Sequence, residues 1–254
     1  MTSAVLLLLM DGRFPAGGHA HSGGLEAAVA AGLVRGLPEL YEWLTGRLVT
    51  LGSVEAAFAA AAWSNAQMAV EATGVCACSA SLRSKVERRW ISLDRELVAR
   101  TISPAQRAAS RAQGRGLVRA AQRCWSSDVI EEMAEHLQTT TVSESPFGVG
   151  PMWPIAFGAT GYAAGLSVEE VTLGACSASI QGPAWSSTRL LGLDPLGVAD
   201  CLARLAPAIE KTAEGARQWS DWALSPGELP CASAPLLEIG AEDHAKWEVR
   251  LFAS

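Results

Sequence analysis

The stretch Ser103-Pro104-Ala105-Gln106-Arg107-Ala108-Ala109-Ser110-Arg111-Ala112-Gln113-Gly114-Arg115-Gly116-Leu117-Val118-Arg119-Ala120-Ala121-Gln122-Arg123-Cys124-Trp125 reads as one long helix. Ser103 supplies a capping oxygen, and Pro104 suits the first helical turn, where an N–H would lack a partner anyway. Arg107, Arg111, Arg115, Arg119 and Arg123 recur every four residues, and no acidic residue lies between Thr101 and Ser127. Like charges at this spacing oppose an isolated helix by about a few tenths of a kcal/mol per pair, so something must compensate. Steps of four residues drift by about 40° around a helix, so the five arginines cannot all face one partner. Glu131, Glu132 and Glu135 on the next helix would neutralise part of the stripe internally. The alternatives are an acidic protein partner or nucleic acid. The net charge of −6 and the poorly interleaved aromatics argue against nucleic acid.

The same punctuation extends in both directions, and period-two strand patterns are scarce. Helices are expected from about Leu25, from Pro38, from a Ser53 cap to a stop at Gly74, and from Ser81 to Arg100. Asp128-Val129-Ile130-Glu131 and Ser167-Val168-Glu169-Glu170 read as capping boxes. Asp194-Pro195 opens a further helix, reaching about Leu224. Thr139 to Pro154 is the longest irregular stretch. The reading is all-α: a single bundle-like domain of about eight to ten helices over residues 1–224, with an extended tail over 225–254 marked by Pro226, Pro230 and Pro235.

Hydrophobic residues make up 49% of the 254 and charged residues 18%, below the usual quarter. A chain this poor in charge is expected to bury surface in an oligomer or complex. The small-residue pair Gly161 and Gly165, with Gly158, Ala159, Ala163 and Ala164, permits close helix contact. That contact is either the core of the monomer or a self-association face. No residue between Ser145 and Val168 is charged, but its prolines and glycines suit a buried helix rather than a membrane span. The apolar run Val5 to Met10 lacks the basic flank of a signal peptide. Cys76, Cys78, Cys124, Cys176, Cys201 and Cys231 form no CxxC, so reduced thiols and a cytoplasmic location are expected.

Between that apolar run and the first Ala-rich helix lies Phe14-Pro15-Ala16-Gly17-Gly18-His19-Ala20-His21-Ser22-Gly23-Gly24-Leu25-Glu26. So much glycine is costly to order and points to a site or an interface. His21-Ser22-Gly23-Gly24 comes close to a nucleophile elbow with Ser22 as nucleophile, but no strand runs into it. His19, His21, His136, His244 and the Cys76–Cys78 pair show no metal-ligand spacing. A phosphate loop is excluded for want of its lysine. No metal, cofactor or catalytic constellation is expected.

Taken together, four segments resemble the urease accessory protein F (UreF) family, and they span essentially the whole chain. They are Leu7 to Asp11 running through the glycine turn to Glu26; Arg107-Ala108-Ala109-Ser110 with Gly114-Arg115; Ser186 to Leu190 with Asp194-Pro195-Leu196-Gly197; and Pro235 to Ile239 with His244 and Arg250-Leu251-Phe252-Ala253-Ser254. The chain departs from the family pattern at Val198, at Ala105-Gln106 and at His19.

The resemblance implies an all-α, homodimeric, non-catalytic scaffold. It would bind the accessory protein UreD (also called UreH) and recruit and regulate the GTPase UreG, so that nickel reaches apo-urease. Under that resemblance the partner-binding residues are Gly17, Gly18, His21, Ser22, Gly24, Glu26, Arg107, Ser110 and Arg189, and in the tail Leu236, Leu237, Ile239, His244, Arg250, Leu251 and Phe252. Glu26 would present a surface to the GTPase, and the tail would order on the UreD-like partner. Gly158, Gly161 and Gly165 would form the dimer interface.

Overall fold

The structure is a computed structural model that describes residues 3–73, 79–141 and 149–252. Gly74, Cys76, Cys78, Ser145, Gly148, Ala253 and Ser254 lie outside the described residues, as does the side chain of His19. The helices are α1 (Ala4–Met10), α2 (Leu25–Ala30), α3 (Leu37–Arg47), α4 (Ser53–Thr73), α5 (Ser79–Arg100), α6 (Pro104–Cys124), α7 (Asp128–Thr141), α8 (Trp153–Ala163), α9 (Val168–Leu190), α10 (Pro195–Ala216) and α11 (Pro235–Ala245). No strand occurs among the described residues, and the fold is all-α.

The caps follow from local chemistry. The Ser103 hydroxyl accepts from Gln106 N–H and opens α6. Ser167 and Glu170 form a reciprocal capping box at α9, and Asp194 caps α10 ahead of Pro195. Ser53 behaves differently. α3 runs through a π turn at Leu48–Gly52 into α4, so Ser53 is interior, and its hydroxyl donates back to the Val49 and Thr50 carbonyls. A Cβ on Gly52 would come within 2.6 Å of Ser179 Oγ, so the wide turn sits where α9 presses against this helix.

α4 is the central helix. Ala56, Ala57, Ala59, Ala60, Ala61, Ala62 and Ala66 are wholly buried, and α5, α8, α9 and α10 pack around it. α8 carries no charge and is buried nearly all round, as a helix without a polar face must be. A Cβ on Gly158 would stand 2.1 Å from the Ala59 carbonyl oxygen, and one on Gly161 would stand 2.4 Å from Val171 Cγ2. Both glycines are therefore used up inside the chain, against α4 and α9. In this packing both point into the chain's own interior rather than to an exposed face. The exposed Gly165 closes α8 at φ +77°, a backbone role rather than a packing one.

The segment from Ser225 also differs from its extended reading. Arg100 donates to the carbonyls of Gly227, Leu229 and Pro230, which ties the segment to α5. Beyond it α11 is a regular helix, begun by Pro235, that packs on α2 and α6. Helix formation there spends the prolines at first-turn and pre-helix positions, where they cost no internal hydrogen bond.

Candidate functional site

Segments far apart in the chain converge where the glycine turn meets α6, α9 and α11. Gly17 and Gly24 adopt φ of +82° and +94°, values that a side chain strains. The turn lies tightly on the body. A Cβ on Gly116 of α6 would come within 2.5 Å of the Ala16 carbonyl oxygen, and one on Gly23 within 2.8 Å of Pro183 on α9. Arg47 secures the turn from beneath, donating to the Gly23 and Ser179 carbonyls at 2.9 and 2.7 Å. Burial lowers the pKa of Arg47, partly offset by the charge of Glu55.

The turn delivers Glu26 into the interior. Its carboxylate, at the start of α2, accepts from Leu251 N–H on Oε1 (2.9 Å) and from Phe252 N–H on Oε2 (3.0 Å). His244 Nε2 of α11 lies 2.9 Å from the same Oε2. Glu26 is 7% exposed and His244 2%. Burial pushes the Glu26 carboxyl upward, but the bonds from Leu251, His244 and Phe252 outweigh it and hold the group below its ordinary value. Contrary to the expectation drawn from the resemblance, Glu26 therefore does not present a surface. It is an internal anchor for the end of the chain.

Ser22 is equally inward, with no exposure, and its Oγ accepts from Glu26 N–H. Among the described residues, no strand leads into it. His21 lines the neighbouring cavity and is half-buried. Gly18 faces open space.

α6 joins the assembly from the other side. Glu242 of α11 accepts from Ala105 N–H (2.8 Å) and from the Ser103 hydroxyl, which lowers its pKa at the α6 N-terminus. Gln106 reaches the Leu237 carbonyl. Arg107 donates to the Thr101 and Ile102 carbonyls and so closes the end of α5. The Ser110 hydroxyl accepts from Trp153 N–H at the head of α8 (3.0 Å). A Cβ on Gly114 would stand 2.1 Å from the Pro151 carbonyl oxygen. The Arg107–Arg115 motif thus grips the Gly150–Trp153 turn.

The arginine stripe is answered from a direction that the sequence did not disclose. Arg111 is buried and makes a bidentate pair with Asp94 of α5, at 3.1 and 2.7 Å, and also donates to the Gly150 carbonyl. Arg115 donates to Val149, while Arg119 and Arg123 are exposed. Glu132 faces α5 instead. It lies with Glu87 and His136 in a group whose ligand-type atoms fall within 4.8 Å of one another, and Arg83 stands 3.7 Å from Glu87 as counter-charge.

The tail's apolar residues divide. Phe252 is buried beneath the Arg189 guanidinium, 5.1 Å from its ring, and Leu237 is half-buried. Leu236, Ile239, Val249 and Leu251 are 58–86% exposed, and Arg250 is exposed beside them. Leu236 and Ile239 are one helical turn apart on α11 and share a face. A cavity of about 640 Å³ lies among these elements, lined by Phe14, Arg47, Glu55, Trp153, Trp185 and Phe252.

Cys176 and Cys201 are buried, and Cys124 and Cys231 exposed, all as free thiols. Burial first, and the nearby Glu55 charge second, push the Cys176 thiol up to about 12. Among the described residues, no helix is long and apolar enough to cross a membrane.

The UreF family model matches residues 34–206. The urease accessory protein UreF of Mycolicibacterium vanbaalenii is 39% identical over 251 residues, covering 99% of this chain and 98% of that protein. Those of Mycobacterium sp. strain JLS and Mycobacterium tuberculosis strain H37Ra are 38% and 35% identical, each over 99% or more of both chains.

Proposed function

The chain belongs to the UreF family of urease accessory proteins, and from that premise we propose that it works as a non-catalytic scaffold in urease maturation. It docks a UreD/UreH-like protein through its C-terminal segment and recruits and regulates a UreG-like GTPase, so that nickel enters apo-urease within the assembled complex. Nickel is cargo in this scheme, and the cytoplasm is its setting. A homodimer would use exposed faces, because Gly158 and Gly161 are occupied internally.

One observation supports the docking reading above the rest. Leu236, Ile239 and Leu251 are held out to solvent by a backbone that Glu26 and Glu242 pin to the body. Exposed apolar anchors on a pre-ordered helix lose little freedom when a partner's groove covers them. Arg250 and Arg189, exposed nearby, suit an acidic partner surface, and the exposed Arg119 and Arg123 offer a second such edge on α6.

The test is co-purification of the full chain, as wild type and as Leu236→Asp with Ile239→Asp, with the UreD-like and UreG-like proteins of its source. The account expects the double variant to keep its helicity and lose the partner. A double variant that still co-purifies refutes docking at α11.

A further inference from the structure

Residues 246–252 follow α11 without regular structure, and Val249, Arg250 and Leu251 are exposed. The segment is nevertheless held at one place. Glu26 Oε1 takes the Leu251 N–H, and Oε2 takes the Phe252 N–H and faces His244 Nε2. Every one of these donors ends on a single carboxylate. The Phe252 ring, 7% exposed, then forms part of the wall of the 640 Å³ cavity, with Arg189 above it. The same lining includes His21 of the glycine turn, Arg47 and Glu55 at the α3–α4 junction, and Trp153 of α8.

We infer that residues 246–252 are a strap over this cavity, latched by the Glu26 carboxylate. When closed, the strap completes the cavity wall with Phe252. When released, it withdraws Phe252 from the wall, widens the mouth of the cavity and leaves the exposed Arg189 guanidinium without its ring contact. The latch is specific to a carboxylate because both oxygens must accept. A glutamine at this position has one oxygen, so its NH₂ would confront at least one N–H donor. Val249 and Leu251 point outward, so beyond the latch and the Phe252 ring only Trp247, packed edge-on to His244 at the head of the strap, holds the segment to the body. This inference stands on geometry alone and does not depend on the scaffold reading.

Hydrogen exchange on the full chain tests it, with Glu26→Gln and Phe252→Ala as separate variants. In the wild type, the Leu251 and Phe252 amides exchange slowly. Glu26→Gln speeds both by about tenfold or more, while α4 and α8 stay protected. Phe252→Ala gives the complementary pattern. The Leu251 amide stays slow, because the carboxylate still holds it, while anilinonaphthalene sulfonate fluorescence rises as the dye enters the opened cavity. Wild-type exchange rates at 251 and 252 in Glu26→Gln overturn the latch. Unchanged dye fluorescence in Phe252→Ala overturns the wall. If Glu26→Gln does not fold, the Phe252→Ala pattern alone decides: a slow Leu251 amide with raised fluorescence supports the strap, and either result reversed refutes it.

Discussion

Glu26 and His244 are 218 positions apart in the chain and 2.9 Å apart in the fold. That contact joins the end of the glycine-rich turn to the last helix of the chain. It also fixes what the C-terminal segment can show to solvent. His244 stands edge-on to Trp247 with ring centroids 4.8 Å apart, which orders the exit from α11. The first and last family-like motifs are thus parts of one structure, with Arg189 of the third motif closing over Phe252.

The Glu26 contact should make stability depend on pH in a definite direction. The folded carboxyl titrates below its ordinary value of 4.5. A depressed acid stabilises the fold above its unfolded pKa, and that contribution fades as pH falls through the folded value. Urea unfolding at pH 7 should find Glu26→Gln less stable than wild type, and the gap should narrow when both are measured at acid pH below 4.5. A gap that widens in acid would contradict the assignment.

The buried Asp94–Arg111 pair predicts asymmetric mutational costs. Removing one partner strands a buried charge, so Asp94→Ala or Arg111→Ala should cost about 3–5 kcal/mol. Replacing both with apolar residues of similar volume should cost much less. Denaturant midpoints of the single and double variants check this. Equal costs for a single and the double variant would show that the pair is not an isolated buried couple.

Two glycine substitutions separate internal packing from self-association. Gly158→Ala drives a Cβ into the Ala59 carbonyl, and overpacking of this kind costs about 1–3 kcal/mol or more. Gly18→Ala meets nothing within 4 Å and should be nearly silent. If Gly158→Ala changed the sedimentation mass and left the unfolding midpoint unmoved, the glycine would belong to an interface after all.

Much of the fold was legible in local chemistry. Ser103-Pro104, the Ser167–Glu170 box and Asp194-Pro195 each mark a helix start that the structure shows, because capping depends only on residues within one turn. Ser53 misled because a serine followed by an Ala-rich run looks the same whether it caps a helix or back-bonds within a continuous one. α11 was hidden by Pro230 and Pro235, which read as breakers until the second is placed at a helix start. The site was legible only as a list of motifs. That Glu26 points inward, that Asp94 answers Arg111, and that Ser110 holds Trp153 are contacts between helices. No periodicity within one segment carries such information.

The central claim is that this chain is a scaffold whose C-terminal face holds a partner. The most direct measurement is co-expression of the tagged chain with the UreD-like and UreG-like proteins of its source, followed by size exclusion and mass determination. The account predicts a stoichiometric complex containing two copies of this chain, and its loss on substitution of Leu236 and Ile239 by aspartate. A chain that elutes alone, with urease activation unaffected by its absence, would contradict the account.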